Sequence, residues 1–184
     1  MSDIELGGYV PGAIGRVTEM HARYYSRHWG FTRAFEVEVA GELAEFMGRF
    51  DERSDGFWVA REGEKIVGSI AIDGHPAQAD GARLRWFILD EAYQGRGIGK
   101  RLLTAATGFC ARVGFPRVYL WTFSGLDDAR RLYERFGFVL RSQHENSAWG
   151  RPVHDLMFDW IPPRGPAPSA AGEAARHADP REDA

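Results

Sequence analysis

The feature that most constrains this chain is a glycine-rich turn between an apolar run and an amphipathic helix. The run Trp86-Phe87-Ile88-Leu89 reads as a strand, and Gln94-Gly95-Arg96-Gly97-Ile98-Gly99-Lys100-Arg101 follows it closely. Glycines let the backbone approach an anion, and the free N–H groups of a first helical turn point at the anion's oxygens. The sequence therefore predicts a strand, a phosphate-binding turn and a helix in succession.

The spacing of these glycines differs from that of two familiar phosphate loops. A dinucleotide fingerprint reads Gly-x-Gly-x-x-Gly, but Lys100 occupies the place of its last glycine. A Walker A loop reads Gly-x-x-x-x-Gly-Lys and then Ser or Thr, but only three residues separate Gly95 from Gly99, and Arg101 follows the lysine. The spacing therefore argues against NAD and against ATP hydrolysis.

Length and composition predict a single domain with short extensions. A chain of 184 residues with 44% hydrophobic content can bury one sizeable core. We expect a lead at residues 1–8, the domain at 9–160 and a disordered tail at 161–184. The tail is rich in Pro, Ala and charge and contains no aromatic residue.

Charge, hydropathy and cysteine content exclude several classes of function. A net charge of -3 and a pI near 6.1 give no basic face for nucleic acid. No apolar run approaches the roughly 20 residues of a membrane span, and no signal peptide is recognisable, so we expect a cytoplasmic protein. Cys110 is the only cysteine, which leaves no internal disulfide and none of the usual zinc clusters. No metal is expected.

The spacing of apolar residues predicts a mixed α/β fold. Two helical patterns come first, and strand patterns at 57–61, 65–72 and 82–89 follow. A helix near 97–113, a strand at 117–122 and a helix at 126–135 come next, and the runs 138–142 and 153–160 can pair as a hairpin. The two helical patterns comprise Ile14, Val17, His21, Tyr24 and His28, and Phe35, Val39, Leu43, Phe46 and Phe50.

Two segments resemble the GNAT superfamily of N-acetyltransferases. Gln94-x-x-Gly97-x-Gly99 resembles its acetyl-coenzyme A motif, and Leu132-Tyr133-Glu134-Arg135-Phe136-Gly137-Phe138 resembles a second segment at the customary distance. The resemblance covers roughly residues 9–160. It implies the element order β-α-α-β-β-β-α-β-α-β-β, an α/β fold (an α+β mixed sheet) with a central splayed sheet flanked by helices. It also implies N-acetyl transfer from acetyl-coenzyme A.

Further segments also resemble a bacterial branch of that superfamily. Tyr9-Val10-Pro11-Gly12-Ala13-Ile14-Gly15, His21-Ala22-Arg23-Tyr24-Tyr25, Leu84-Arg85 and Trp121-Thr122 resemble GNAT domains that are often fused behind a MarR-type regulator. No such regulator fits before residue 9, so we expect a freestanding domain.

The resemblance also assigns the cofactor residues. It implies that the pantetheine arm lies along the strand that ends in Phe87, Ile88 and Leu89, and that the Leu89 N–H faces the thioester oxygen. It implies that the pyrophosphate lies on the backbone N–H groups of the turn, with Gln94 fixing the loop and the side chain of Arg96, Lys100 or Arg101 reaching phosphate. The implied cofactor set is Phe87, Ile88, Leu89, Gln94, Gly95, Arg96, Gly97, Ile98, Gly99, Lys100, Arg101 and Tyr133.

Acetyl transfer needs a proton donor for the thiolate and an acceptor for the amine proton. The resemblance implies that Tyr133 is the general acid. For the base we favour Glu36, because the second helix of such proteins commonly lines the acceptor cleft. The alternatives are Glu38, Asp90, Glu91, His28 and His75.

For the acceptor, Arg85 and Trp121 are the candidate contacts. Arg83 and Arg85 share one face of a strand and would suit a substrate carboxylate, or would form surface ion pairs with Asp80, Asp90 or Glu91. Trp121 would close or widen the acyl pocket. We expect a small amine acceptor and a possible homodimer through exposed edge strands. The alternative function is a non-catalytic module that binds or senses acyl-coenzyme A.

Overall fold

The computed structural model describes residues 3–75, 81–147 and 152–163, which form a single seven-stranded mixed sheet with helices on both faces. The element order is the one that the resemblance implied. In chain order the elements are β1 (Ile4–Gly7), α1 (Ala13–Trp29), α2 (Arg33–Gly48), β2 (Gly56–Glu62), β3 (Lys65–Asp73), β4 (Ala82–Leu89), α3 (Ile98–Val113), β5 (Val118–Phe123), α4 (Asp127–Arg135), β6 (Val139–Asn146) and β7 (Val153–Trp160).

Two hydrophobic cores lie on opposite faces of the sheet. One contains the apolar side of α3 and Tyr133 of α4, and the other contains the apolar sides of α1 and α2. The strands are ordered β1-β2-β3-β4-β5-β7-β6, and β4 with β5 is the parallel pair. None of the described helices is long and apolar enough to cross a membrane.

The ends of the chain differ from the expected domain limits in one respect. Strand β1 lies within residues 1–8, which the sequence analysis set apart as a lead, and it pairs with β2 along its whole length. The sheet therefore begins before residue 9. Most of the predicted tail, residues 164–184, lies outside the described residues.

Strand β6 is one edge of the sheet, opposite β1. Its side chains are exposed or half-buried along its length, and Val139 is 51% exposed. An edge strand leaves backbone groups that a second chain can pair with. The homodimer stays a prediction.

The centre of the sheet is interrupted between β4 and β5. These strands pair only at Ala82, Arg83 and Leu84 of β4, so the remainder of β4 has no partner on that side. On its other side, the register with β3 shifts by one residue, and Trp86 adopts a left-handed backbone conformation with φ 45°. This β-bulge bends β4 away from β5.

A buried hydroxyl stabilises the bulge. Ser69 of β3 is fully buried, and its Oγ donates to the carbonyl oxygen of Trp86 at 2.8 Å. That carbonyl belongs to the residue with the unusual φ, so the bond satisfies a group that the shifted ladder would otherwise leave unpaired.

We expect Ser69→Ala to lower the free energy of unfolding by about 1–3 kcal/mol, because a buried carbonyl loses its donor. Urea unfolding followed by circular dichroism measures the change. Thr107→Ala is the matched control: its hydroxyl donates to Leu103 O within α3 at 2.8 Å, and it should change stability by less than about 0.5 kcal/mol. Equal losses in the two variants would contradict a special role for Ser69.

Candidate active site

The gap between β4 and β5 opens into a cavity of about 830 Å³. Its walls come from α1, α2, β4, β5, β7, the start of α3 and α4. Most of the predicted site residues line it. These are Arg85, Phe87, Ile88, Leu89, Gln94, Gly95, Gly97, Ile98, Gly99, Lys100, Trp121 and Tyr133.

The glycine-rich turn forms an anion cradle at one end of this cavity. Gly95 and Gly97 both have φ 75°, and a Cβ built on either would meet no atom within 4 Å. Gly97 is the N-cap of α3 and supplies no side-chain cap, and the first intrahelical bond there is Arg101 N–H to Gly97 O at 3.1 Å. The N–H groups of Ile98, Gly99 and Lys100 are therefore available to an anion.

The open edge of β4 offers backbone groups to an extended ligand. The Asp90 amide donates to Val67 O of β3 at 2.8 Å. Because N–H directions alternate along an extended strand, the Leu89 amide points away from β3, into the gap. That the Leu89 N–H faces the thioester oxygen stays a prediction. The edge and the cradle together fit a ligand with amides at one end and a pyrophosphate at the other.

Of the predicted basic side chains, Lys100 lines the cavity and two others do not. The Arg96 guanidinium lies over the Tyr93 ring, 4.9 Å from its centroid, and donates to Ala92 O at 3.2 Å. Arg101 is exposed and outside the cavity, because one helical step turns it away from Lys100. The sequence analysis missed two cations of α4 that do line it, Arg131 and Arg135.

Tyr133 projects from α4 into the cavity wall. Its side chain is 5% exposed and packs between aromatic rings, with centroids 5.9 Å from Phe87 and 5.9 Å from Phe138. Burial raises the pKa of its phenol well above the ordinary value of 10. The hydroxyl is therefore protonated at any physiological pH and can donate a hydrogen bond.

The wall formed by α1 was not recognised as part of the site from the sequence. His21 and Tyr25 lie one turn apart and both line the cavity, although each is at most 9% exposed. Burial lowers the pKa of His21 to about 4. Burial, and then the neighbouring phenols of Tyr133 and Tyr24, raises the pKa of Tyr25 above its ordinary value. The sequence signal that could have revealed this wall was the polar pair His21 and Tyr25, four residues apart on an otherwise apolar helix face.

The carboxylates of α2 in the cavity are not the one that the sequence favoured. Glu36 lies in a separate depression between α1 and α2, beside Arg23 and Arg27. Glu38 and Glu42 line the cavity. Each residue of a helix is turned about 100° from the last, so Glu36, two positions before the first α2 carboxylate that lines the cavity, points elsewhere.

Of the other candidate bases, Glu38 lines the cavity, whereas Asp90, Glu91, His28 and His75 do not. Asp90 pairs with Arg16 at 3.0 Å, and Glu91 pairs with both Arg27 and His28 at 2.8 Å. None of these groups lines the cavity.

Arg85 is already bound by carboxylates. It donates to Glu42 and lies 3.6 Å from Asp73, which is 2% exposed. Its guanidinium also lies 4.1 Å from the centre of the Trp86 ring. The structure therefore favours the ion-pair alternative for Arg85, with Glu42 and Asp73 as partners instead of Asp90 or Glu91. Asp80 lies outside the described residues.

Trp121 stands at the open side of the cavity. It is 39% exposed, and its ring meets that of His144 edge-on, with centroids 5.0 Å apart. Asp155 of β7 also lines this side, and Asn146 donates to its Oδ2 at 2.7 Å. Among the described residues, no cluster of His, Cys, Asp and Glu is placed to hold a metal ion.

A family model described as the Acetyltransferase (GNAT) family matches residues 15–138. The chain belongs to this family. The resemblance that the two sequence motifs indicated is confirmed, and with it the fold class and the assignment as an acyltransferase.

Individual relatives agree with the family. The uncharacterized N-acetyltransferase YjgM of Escherichia coli is 30% identical over 144 residues, which cover 77% of this chain and 81% of that protein. Human N-acetyltransferase 8B is 23% identical over 83% of this chain and 70% of its own length. The fold is similar to that of yncA from Salmonella typhimurium, solved with acetyl-CoA, with a TM-score of 0.70, 18% identity, and coverage of 92% of this chain and 99% of that one.

Gly97→Ala should weaken acetyl-coenzyme A binding to this GNAT protein at least about tenfold, because the methyl group enters the space before the free N–H groups. It should also cost about 1–2 kcal/mol of stability through its left-handed conformation. Gly114→Ala is the matched control: Gly114 ends the same helix with φ 81°, has equally open space and lies outside the cavity. Isothermal titration calorimetry and urea unfolding separate the two effects, and equal affinity losses in both variants would contradict the cradle.

His21 should make the protein acid-labile. Its pKa in the folded state, about 4, lies below the ordinary histidine value of 6.5, so the unfolded chain binds a proton first as the pH falls. The stability from neutral His21 is complete above about pH 6.5 and falls by about 3 kcal/mol down to about pH 4. His21→Gln should flatten this part of the urea-unfolding profile. His28→Gln, an exposed control, should leave it steep, and a wild-type slope in His21→Gln would contradict the assignment.

Proposed function

We propose that this protein transfers an acetyl group from acetyl-coenzyme A to the amine of a small molecule or peptide by direct attack. The observation that carries the proposal is the cavity itself. It joins an unpaired strand edge and an uncapped helix N-terminus to a buried phenol, Tyr133. Those three features are what a phosphorylated, amide-containing thioester requires at its two ends and at its sulfur.

The cofactor contacts are mainly backbone contacts. In this proposal the Leu89 edge of β4 pairs with the amides of the pantetheine arm, and the Leu89 N–H faces the thioester oxygen. The N–H groups of Ile98, Gly99 and Lys100 receive the pyrophosphate. Lys100, Arg131 and Arg135 supply positive charge around it, in place of the Arg96 and Arg101 side chains expected from sequence.

The thioester supplies an acyl group that a neutral amine can attack. The amine nitrogen forms a bond to the carbonyl carbon, the carbon–sulfur bond breaks, the amine loses one proton and the thiolate gains one. Tyr133 donates the proton to the thiolate. The thiolate forms in the same desolvated space, which increases its basicity along with that of the phenol, so burial does not remove the driving force for this transfer.

The acceptor enters from the side of α1, α2 and β7. Glu38, Glu42, Asp155 and Arg83 line this side, together with Trp121. Since Arg85 is held by Glu42 and Asp73, we no longer assign it to a substrate carboxylate. The acceptor proposed is a small amine, and the proton it loses leaves toward these carboxylates.

We expect Tyr133→Phe to lower kcat by about 100-fold or more, because a general acid typically contributes that much. Thiol release from acetyl-coenzyme A is measured against amino acids, polyamines, aminoglycosides and peptide N-termini, with cofactor affinity measured by calorimetry. Tyr93→Phe is the control, since it removes a phenol hydroxyl bound to Glu62 outside the cavity.

This experiment distinguishes an acetyltransferase from a non-catalytic sensing module. Turnover that is lost in Tyr133→Phe, with cofactor affinity kept, supports the acetyltransferase and its acid. An unchanged kcat contradicts the role of Tyr133. Tight acetyl-coenzyme A binding by the wild type, without turnover of any amine in the panel, favours the non-catalytic sensing module.

A further inference from the structure

His21 is the one histidine in the described part of the chain that lines the cavity. It is 6% exposed, on the α1 wall, one helical turn before Tyr25, and the two rings lie 6.0 Å apart. Neither the cofactor cradle nor the role of Tyr133 uses it. The nitrogen atoms of a buried imidazole need hydrogen-bond partners. A nitrogen that faces a cavity must therefore find its partner in the protein or in a ligand.

The hydrogen bonding of His21 fixes its tautomer. The Nδ1 atom lies 2.8 Å from the carbonyl oxygen of Val17, and a carbonyl can only accept, so Nδ1 carries the hydrogen. In a neutral imidazole the other nitrogen, Nε2, then bears a lone pair. Burial keeps the ring neutral near pH 7, since it lowers the pKa to about 4. No described residue donates a hydrogen bond to Nε2.

The neighbours of His21 place it on the acceptor side of the reaction centre. Tyr25, its partner on α1, lines the same cavity as Tyr133. The ring of Tyr25 also meets that of Phe123, at the end of β5, with centroids 5.1 Å apart. His21 therefore lines the same cavity as the phenol proposed to protonate the thiolate, on a wall that the cofactor cradle does not form.

We propose that Nε2 of His21 accepts a hydrogen bond from the N–H of the attacking amine and so directs the nitrogen lone pair at the thioester carbon. This inference rests on the proposed acetyl transfer. A neutral acceptor suits the task better than a carboxylate, because a nearby negative charge raises the pKa of the amine and favours the unreactive ammonium form. Glu38 and Glu42 receive the released proton later and need not contact the amine first.

The kinetic test compares His21→Phe with His21→Gln. Phenylalanine keeps a planar ring but has no acceptor, whereas the Oε1 of glutamine can accept a hydrogen bond near the position of Nε2. For the amine that the wild type acetylates best, we expect kcat/KM to fall about 10- to 100-fold in His21→Phe, with most of the loss recovered in His21→Gln. Acetyl-coenzyme A affinity should stay within about twofold of wild type in both.

A matched control comes from the same helix. Thr18 is 8% exposed, and its hydroxyl donates to Ile14 O at 2.9 Å without lining the cavity. Thr18→Val tests whether any polar loss in buried α1 lowers amine turnover, and it should leave kcat/KM unchanged. A loss in Thr18→Val equal to that in His21→Phe, or an unchanged kcat/KM in His21→Phe, would overturn the proposal.

A second measurement needs neither a variant nor turnover. In nitrogen-15 spectra of the wild-type histidines at pH 5, a ring with a pKa of about 4 keeps its neutral tautomer, while an ordinary histidine is protonated, which identifies His21. The protein is then saturated with S-ethyl-coenzyme A, an unreactive thioether, and titrated with n-butylamine at pH 9. We expect the Nε2 resonance of His21 to move upfield as it accepts a hydrogen bond. A resonance that does not move contradicts the proposal.

The two proposals fail in different ways. If acetyl transfer is wrong, the wild type releases no thiol with any amine, while the Nε2 titration still reports whether an amine reaches His21. If the His21 assignment alone is wrong, the wild type turns over amine and His21→Phe does so equally well.

Discussion

The structure depends on one interruption in backbone pairing. Buried strand amides and carbonyls need partners, yet β5 leaves β4 after Leu84, and the bulge at Trp86 widens the gap. Leu89 is therefore left with backbone groups that point into the gap, where a ligand can pair with them. The same gap leads to the start of α3, where further N–H groups are free. A continuous sheet would be more fully hydrogen-bonded but would have no place for a thioester.

The groups proposed to act in this cavity are neutral. Burial raises the pKa of Tyr133 and lowers that of His21, so one is held as a donor and the other as an acceptor near pH 7. The charged side chains are kept at its margins or in ion pairs, as Arg85 is with Glu42. This arrangement suits the proposed attack by an uncharged amine, because buried neutral groups do not stabilise an ammonium ion as a paired charge would.

Sequence reasoning was most accurate where a feature depends on the local backbone. The strand at 82–89, the glycine turn and the position of Tyr133 follow from local spacing and from the resemblance, and all lie where they were expected. It was less accurate where a side chain's direction depends on packing. Glu36 and Arg96 are close in sequence to groups that line the cavity, but helix rotation and stacking on Tyr93 turn them away. The partners of Arg85 are distant in sequence, so no local pattern could reveal them.

In the proposed site the cofactor is contacted mainly by backbone groups and the acceptor by side chains. Family membership therefore indicates the cofactor more reliably than the acceptor. The cofactor half of the site needs glycines, a helix N-terminus and a strand edge, and these tolerate wide sequence change. The acceptor half proposed here is made of cavity-lining side chains from elements far apart in the chain, such as His21, Glu38, Glu42 and Asp155. A relative that is 30% identical can share the first half and differ in the second. Under the proposals made here, the α1 wall is therefore a better guide to the acceptor than the cofactor motif.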